Sequence, residues 1–208
     1  MINNKKKITF TDKISLIFKK NLKVIIFLVL SLLVIIIFFQ YSLYKKENKV
    51  LKISILYDQA KTTVNLNDFE EKMNLIAKEN GIFGILASLD LIKKSLSNND
   101  YNYAYNVYLK LLKSKDSNRI YNSIIALHGS YNLIDNVSSD KVSNLLSFVD
   151  ESSISFMGYK NEVEYLLSIK NNNLNKSEEL SHQILNNESI SEAIKERVRK
   201  INEFEKYK

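Results

Sequence analysis

Residues Val24 to Tyr44 form an uninterrupted run of 21 residues without a charged side chain. As an α-helix this run would be roughly 30 Å long, which matches the hydrocarbon core of a bilayer. The run therefore predicts a single transmembrane helix over residues 24–44, with the rest of the chain on either side of the membrane.

Lysines flank the apolar run on both sides and are more numerous before it. Residues 1–23 carry seven lysines and one acidic residue, Asp12, whereas residues 45–52 carry four lysines and Glu47. Because the cytoplasmic flanks of transmembrane helices are enriched in Lys and Arg, residues 1–23 are predicted to form a basic cytoplasmic segment. The long C-terminal part would then lie across the membrane.

The apolar run is predicted to be an uncleaved signal-anchor. A signal peptide needs small residues at a cleavage site after its apolar core, and here the first alanine is Ala60 and the first glycine is Gly81. The chain has no cysteine, which excludes lipoprotein processing, disulfides and zinc–thiolate sites.

The net charge of +7 is concentrated beside the apolar run. Residues 1–23 hold +6 and residues 45–52 hold +3, which leaves about −2 for residues 53–208. A basic chain raises nucleic acid as a partner, but these lysines lie where they would meet anionic lipid. Nucleic-acid binding is therefore not expected.

Residues 53–208 are predicted to be all-α, because the chain has no proline, has four glycines and repeats its apolar residues at helical spacing. Three apolar sets each line one face of a helix: Ile85, Leu89, Ile92 and Leu96; Ile120, Ile124, Leu127, Tyr131 and Ile134; and Ile190, Ile194, Val198 and Ile201. Helices are predicted over 40–62, 67–80, 82–97, 100–114, 119–135, 140–149, 154–171, 175–186 and 190–206. The first would continue the membrane helix as a stalk over residues 45–62.

The predicted helix starts near 82, 119, 154 and 190 are about 36 residues apart. Segments 99–104 and 172–177 occupy matching places in two of these units, and Asp100 is the expected N-cap of its helix. Tandem helical pairs of this length predict a tetratricopeptide-like α-solenoid of about three to four hairpins over residues 63–208.

The whole layout resembles a tetratricopeptide-repeat-like family that includes the ancillary subunit of the bacterial Sec translocon. In that family an aromatic residue, basic residues and a turn residue precede one anchor. The matching features are Phe18-Lys19-Lys20-Asn21 with Asp12 upstream, Asn99-Asp100 with Ala104, Asn172-Asn173 with Ser177, and a final helix from Ser191 to Phe204 that contains Arg197.

The resemblance implies a single-pass protein of the bacterial inner membrane with a periplasmic domain. Its implied partners are Sec translocon subunits, periplasmic chaperones or exported polypeptides. The residues themselves favour the same class, a membrane-anchored scaffold that binds proteins. The alternative is a self-associating architectural protein of the envelope or division machinery, with the stalk as its contact.

Catalytic constellations are missing from the sequence, so no enzyme activity, cofactor, metal or small-molecule substrate is expected. The two histidines, His128 and His182, are 54 positions apart, and no glycine-rich phosphate loop occurs. His128 is expected to be packed or hydrogen-bonded, and His182 to face water.

One tyrosine cluster is a candidate for partner binding. Tyr101, Tyr105 and Tyr108 recur at i, i+4 and i+7 on one helix, and Tyr121 lies on the next. Tyrosine combines apolar area with a polar tip, which suits a peptide-binding groove. The alternative interpretation is that these rings fill the seam between hairpins.

Overall fold

The computed structural model describes residues 10–114 and 118–205, with side chains from residue 21 onwards. These residues form α-helices and no strand, so the all-α prediction is confirmed for them. The helices are α1 (Phe10–Lys61), α2 (Leu66–Ile76), α3 (Ile82–Ser97), α4 (Tyr101–Leu112), α5 (Arg119–Leu133), α6 (Ser139–Leu146), α7 (Ile154–Lys170), α8 (Leu174–Asn186) and α9 (Glu192–Glu205). The chain divides into two compact units between Ile55 and Leu56.

The first unit contains α1 as far as Ile55, and the end of α1, Leu56–Lys61, belongs to the second unit. Helix α1 is long and apolar enough to cross a membrane. The helix covers the predicted membrane segment, residues 24–44, and the predicted stalk, residues 45–62, except residue 62. It has one kink, at Asn21 (φ −113°, ψ 17°). Its large apolar side chains, such as Phe27 and Phe38, are about 70% exposed within the protein. Exposure of this much apolar surface to water would be costly, which favours a bilayer around this segment.

The second unit is built from consecutive helices joined by short turns. Helices α3 and α4, α5 and α6, and α7 and α8 pack as neighbouring pairs, while α5 also contacts α7 and α7 also contacts α9. Packing against a neighbouring helix buries an apolar side that a single helix could not bury alone.

Two of the turns between paired helices have the same structure, 73 residues apart. Asn99 (φ 59°) and Asn172 (φ 54°) adopt the left-handed conformation, which asparagine tolerates better than most residues. The next residue, Asp100 or Asn173, donates its N–H to the carbonyl of Ser95 (2.9 Å) or Ser168 (2.8 Å). Its side chain then caps the following helix. The predicted Asp100 cap is confirmed, and the two segments that the sequence matches begin with the same turn.

Side-chain hydrogen bonds join several helices to the next helix but one. The pairs are Tyr57–Asp90, Asn74–Tyr103, Asn102–Lys141, Tyr105–Asn144, Tyr131–Glu162, Glu162–Arg197 and Tyr165–Asn202. The partners lie 29 to 39 residues apart in the chain, close to the spacing of 36 that the sequence predicts. Between α4 and α6, and between α7 and α9, residue numbers rise in the same direction along both helices, so these alternate helices run parallel.

The buried faces of α3 and α5 are made largely of small residues rather than of the large apolar residues in the predicted sets. In α5 the buried residues are Ser123, Ala126, Leu127, Gly129, Ser130 and Leu133. Ile120 and Ile124, predicted on the apolar face, are at least half exposed. In contrast, the apolar set predicted for the last helix is buried, since Ile194 and Val198 of α9 pack with residues of α7 and α8, together with Ile190 just before α9.

Gly81 has a positive φ (93°) and is the N-cap of α3, so it does not end the helix before it. Helix α2 ends earlier, at Ile76, with Ala77 as its C-cap. The glycine is therefore a helix-start residue in this fold.

Candidate functional site

The tyrosine helix α4 places Tyr108 in the interior. Its side chain is fully buried, and its ring lies against the backbone of Gly129, where an added Cβ would come within 3.1 Å. Burial raises the pKa of Tyr108, so the hydroxyl keeps its proton and lies 2.7 Å from Nδ1 of His128. The expected hydrogen-bonded role of His128 is confirmed.

The other predicted tyrosines differ in accessibility. Tyr105 is 7% exposed, and its hydroxyl accepts a hydrogen bond from Asn144 on α6. Tyr101 is half-buried at the start of α4, whereas Tyr121 on α5 is 63% exposed. The structure thus brings Tyr105 and Tyr108 together in the packing around α4 and leaves Tyr121 on the surface. A partner-binding role for the four tyrosines stays a prediction.

The exposed side of α5 carries an apolar ridge, which we define as Ile120, Tyr121 and Ile124. These side chains are 56%, 63% and 50% exposed. Positions i, i+1 and i+4 share one side of the first two turns of a helix. Single exposed apolar residues are normal on protein surfaces, but three adjacent ones mark a candidate contact surface.

A buried carboxylate lies at the junction of α5, α7 and α9. Glu162 is 2% exposed and accepts two hydrogen bonds from Arg197, Nε to Oε1 and Nη2 to Oε2, each 2.6 Å long. Tyr131 donates a third bond to Oε2 at 2.6 Å. This bidentate geometry is the strongest form of carboxylate pairing in proteins.

The electrostatics of this junction favour a fixed ion pair. The hydrogen bonds to Glu162 raise the pKa of Arg197, while burial and the Glu162 carboxylate raise the pKa of Tyr131. Both donors therefore hold their protons at every physiological pH. Because three hydrogen bonds from these two residues occupy the carboxylate, the arrangement suits the joining of three helices better than proton transfer to a substrate.

A second polar chain links α7, α8 and α9 beside this junction. Tyr165 donates to Asn202 at 2.7 Å, and Asn202 donates to Ser181 at 2.6 Å. Burial raises the pKa of Tyr165 to about 12. The last helix is thus held by two separate polar contacts in addition to its apolar face.

Among the described side chains, no group of three or more His, Cys, Asp and Glu residues is close enough to hold a metal ion. His182 is exposed on α8, as expected from its polar neighbours.

The spacing of apolar residues does not predict the Glu162 junction, although the sequence contains another signal for it. Tyr131, Glu162 and Arg197 are separated by 31 and 35 residues, each near one helical-pair spacing. These three polar residues therefore lie in successive predicted units.

No protein-family model, curated protein or solved structure matches this chain.

Proposed function

We propose that this protein is a membrane-anchored scaffold whose helical domain binds other polypeptides. The observation that carries the proposal is the joining, in one chain, of an unpacked apolar helix to a helical domain with an exposed apolar ridge. An anchor confines such a domain beside membrane partners and raises their effective concentration without any new contact.

We further infer that the second unit is a tetratricopeptide-like α-solenoid. Three observations support this fold: the packing of consecutive helices as pairs, the parallel run of alternate helices, and a turn repeated at Asn99 and Asn172. In a solenoid each unit contacts its neighbours and successive units build one extended binding surface. The ridge on α5 is our candidate for part of that surface, with Tyr121 as the predicted tyrosine most accessible to a partner.

The proposed location is the periplasmic side of a bacterial inner membrane, with the N-terminus in the cytoplasm. The excess of lysine before the apolar run supports this orientation. The resemblance to the family of the ancillary Sec translocon subunit supports translocon subunits, periplasmic chaperones or exported polypeptides as the partners. We propose no catalytic activity and no small-molecule substrate.

Anchoring and orientation are tested together on the full chain. Alkaline carbonate should leave the protein in the membrane pellet, and a C-terminal reporter that is active only in the periplasm should be active. Release by carbonate would refute the anchor, whereas an inactive reporter on a retained protein would refute only the orientation.

Partner binding is tested by crosslinking in intact cells through a C-terminal tag, followed by identification of the bound proteins. Ile124→Ser on the ridge is compared with Leu174→Ser on α8, since both side chains are apolar and at least half exposed. Substitutions at exposed sites change stability by about 0.5 kcal/mol or less, so loss of a partner would report on binding. The proposal expects loss with Ile124→Ser alone.

Two results would change the assignment. Recovery of the protein itself as the sole crosslinked species would favour the architectural alternative. Equal recovery of partners with both variants would remove the ridge from the binding surface.

A further inference from the structure

The part of α1 that follows the apolar run carries a basic side. Four lysines occur within residues 45–52, all exposed. At 100° per residue, Lys45, Lys49 and Lys52 fall within about 60° of one another, and Tyr41 lies on the same side one turn earlier. We define the lysine face as Tyr41, Lys45, Lys49 and Lys52. Glu47, the acidic residue of segment 45–52, lies on the opposite side of the helix.

The lysine face lies at the depth of lipid headgroups when residues 24–44 span the bilayer. Lys45 is the first residue after the uncharged run, and Lys52 is about 10 Å further along the helix axis. The headgroup region occupies roughly the first 5–8 Å beyond the hydrocarbon core. Long lysine side chains reach back to that layer, and Tyr41 and Tyr44 have the amphipathic character that favours it.

The number of lysines that follow the apolar run needs an explanation if the second unit is translocated across the membrane. The flank that crosses the membrane is normally depleted in lysine, yet this flank has four in eight residues. Sequestration of their charge by anionic headgroups would offset the unfavourable placement.

We propose that the lysine face binds the phosphate groups of anionic phospholipids in the leaflet next to the second unit. The inference rests on the proposed membrane anchoring and adds a lipid class to its partners. Bound headgroups would fix the rotation of the helix about its axis where it leaves the bilayer.

The test uses the full chain reconstituted into phosphatidylcholine vesicles. Trace spin-labelled phosphatidylglycerol or spin-labelled phosphatidylcholine is added, and electron paramagnetic resonance gives the fraction of each lipid immobilised by the protein. Their ratio is the selectivity for anionic lipid. We expect a selectivity of several-fold that falls as salt is raised.

The variant Lys45→Gln/Lys49→Gln/Lys52→Gln should lose at least threefold in selectivity, because each lysine near an anionic surface contributes up to roughly fivefold in affinity. The corresponding triple Arg variant should keep it. The matched control Lys93→Gln/Lys94→Gln/Lys110→Gln removes three exposed charges from α3 and α4 and should match the wild type.

Unchanged selectivity in the triple Gln variant of a retained protein would overturn the lipid site alone. An equal loss in the control variant would also overturn it, since the effect would then follow net charge. Release of the wild-type chain from vesicles by alkaline carbonate would overturn the anchoring and this inference together.

Discussion

Replacement of Arg197 by Met tests the junction that joins α5, α7 and α9. The methionine keeps an apolar stem of similar length but removes the two hydrogen bonds and the positive charge that Glu162 receives. The hydrogen bond from the Tyr131 hydroxyl to Glu162 would remain.

The size of the effect follows from the burial of the two partners. Removing one partner of a buried ion pair costs about 3–5 kcal/mol, because the other charge stays buried without compensation. The Glu162 side chain is 2% exposed, but the Arg197 side chain is 47% exposed, so water can partly replace it. We therefore expect a loss of about 2–4 kcal/mol in the free energy of unfolding at pH 7. Glu162→Gln, which removes the charge but keeps the shape, should cost about 1–2 kcal/mol.

The assay is urea unfolding of residues 56–208, the compact second unit, followed by circular dichroism. A deficit below about 0.5 kcal/mol at pH 7 would refute the reasoning.

Three further predictions concern stability. Gly84→Ala should destabilise the domain by about 1–3 kcal/mol in thermal denaturation, because the new Cβ would lie 1.9 Å from the Glu79 carbonyl oxygen; an unchanged melting temperature would contradict this. In denaturant melts Asn172→Ala should be about 1 kcal/mol less stable than Asn172→Gly, given φ of 54°, and equal stability would argue against a left-handed turn. Burial lowers the pKa of His128 from 6.5, so the folded state binds its proton less readily and the free energy of unfolding should fall below about pH 6.5. The same titration of His128→Gln should lack this fall in the free energy of unfolding. An identical fall in the variant would show that other groups cause it.

Much of the helical architecture could be predicted because local signals agree with it. Asp100 caps α4 as expected, and the helix predicted over 82–97 has those bounds in the structure. The helix predicted over 67–80 extends beyond the observed end of α2 at Ile76, because a glycine at position 81 is typical of a helix end. Its backbone conformation suits either end of a helix, and a sequence does not distinguish them.

The interhelical surfaces were harder to predict because close packing selects small residues. In α5 the apolar pattern predicts that Ile120 and Ile124 lie on the buried side, whereas in the structure they are exposed and Ser123 and Gly129 are buried. Spacing of large apolar residues cannot separate a buried face from an exposed ridge. The burial of Tyr108 depends in the same way on a glycine that lies 21 positions away in the chain.

The most direct test of the proposed scaffold is photo-crosslinking from position 121 of the full chain in intact cells. A photoreactive residue replaces Tyr121 on the ridge, and the same residue at position 174 serves as an equally exposed control. The account predicts adducts with a translocon subunit, a periplasmic chaperone or an exported polypeptide from position 121 and not from position 174. Adducts of equal yield from both positions, or adducts with the protein itself as the sole product, would contradict it.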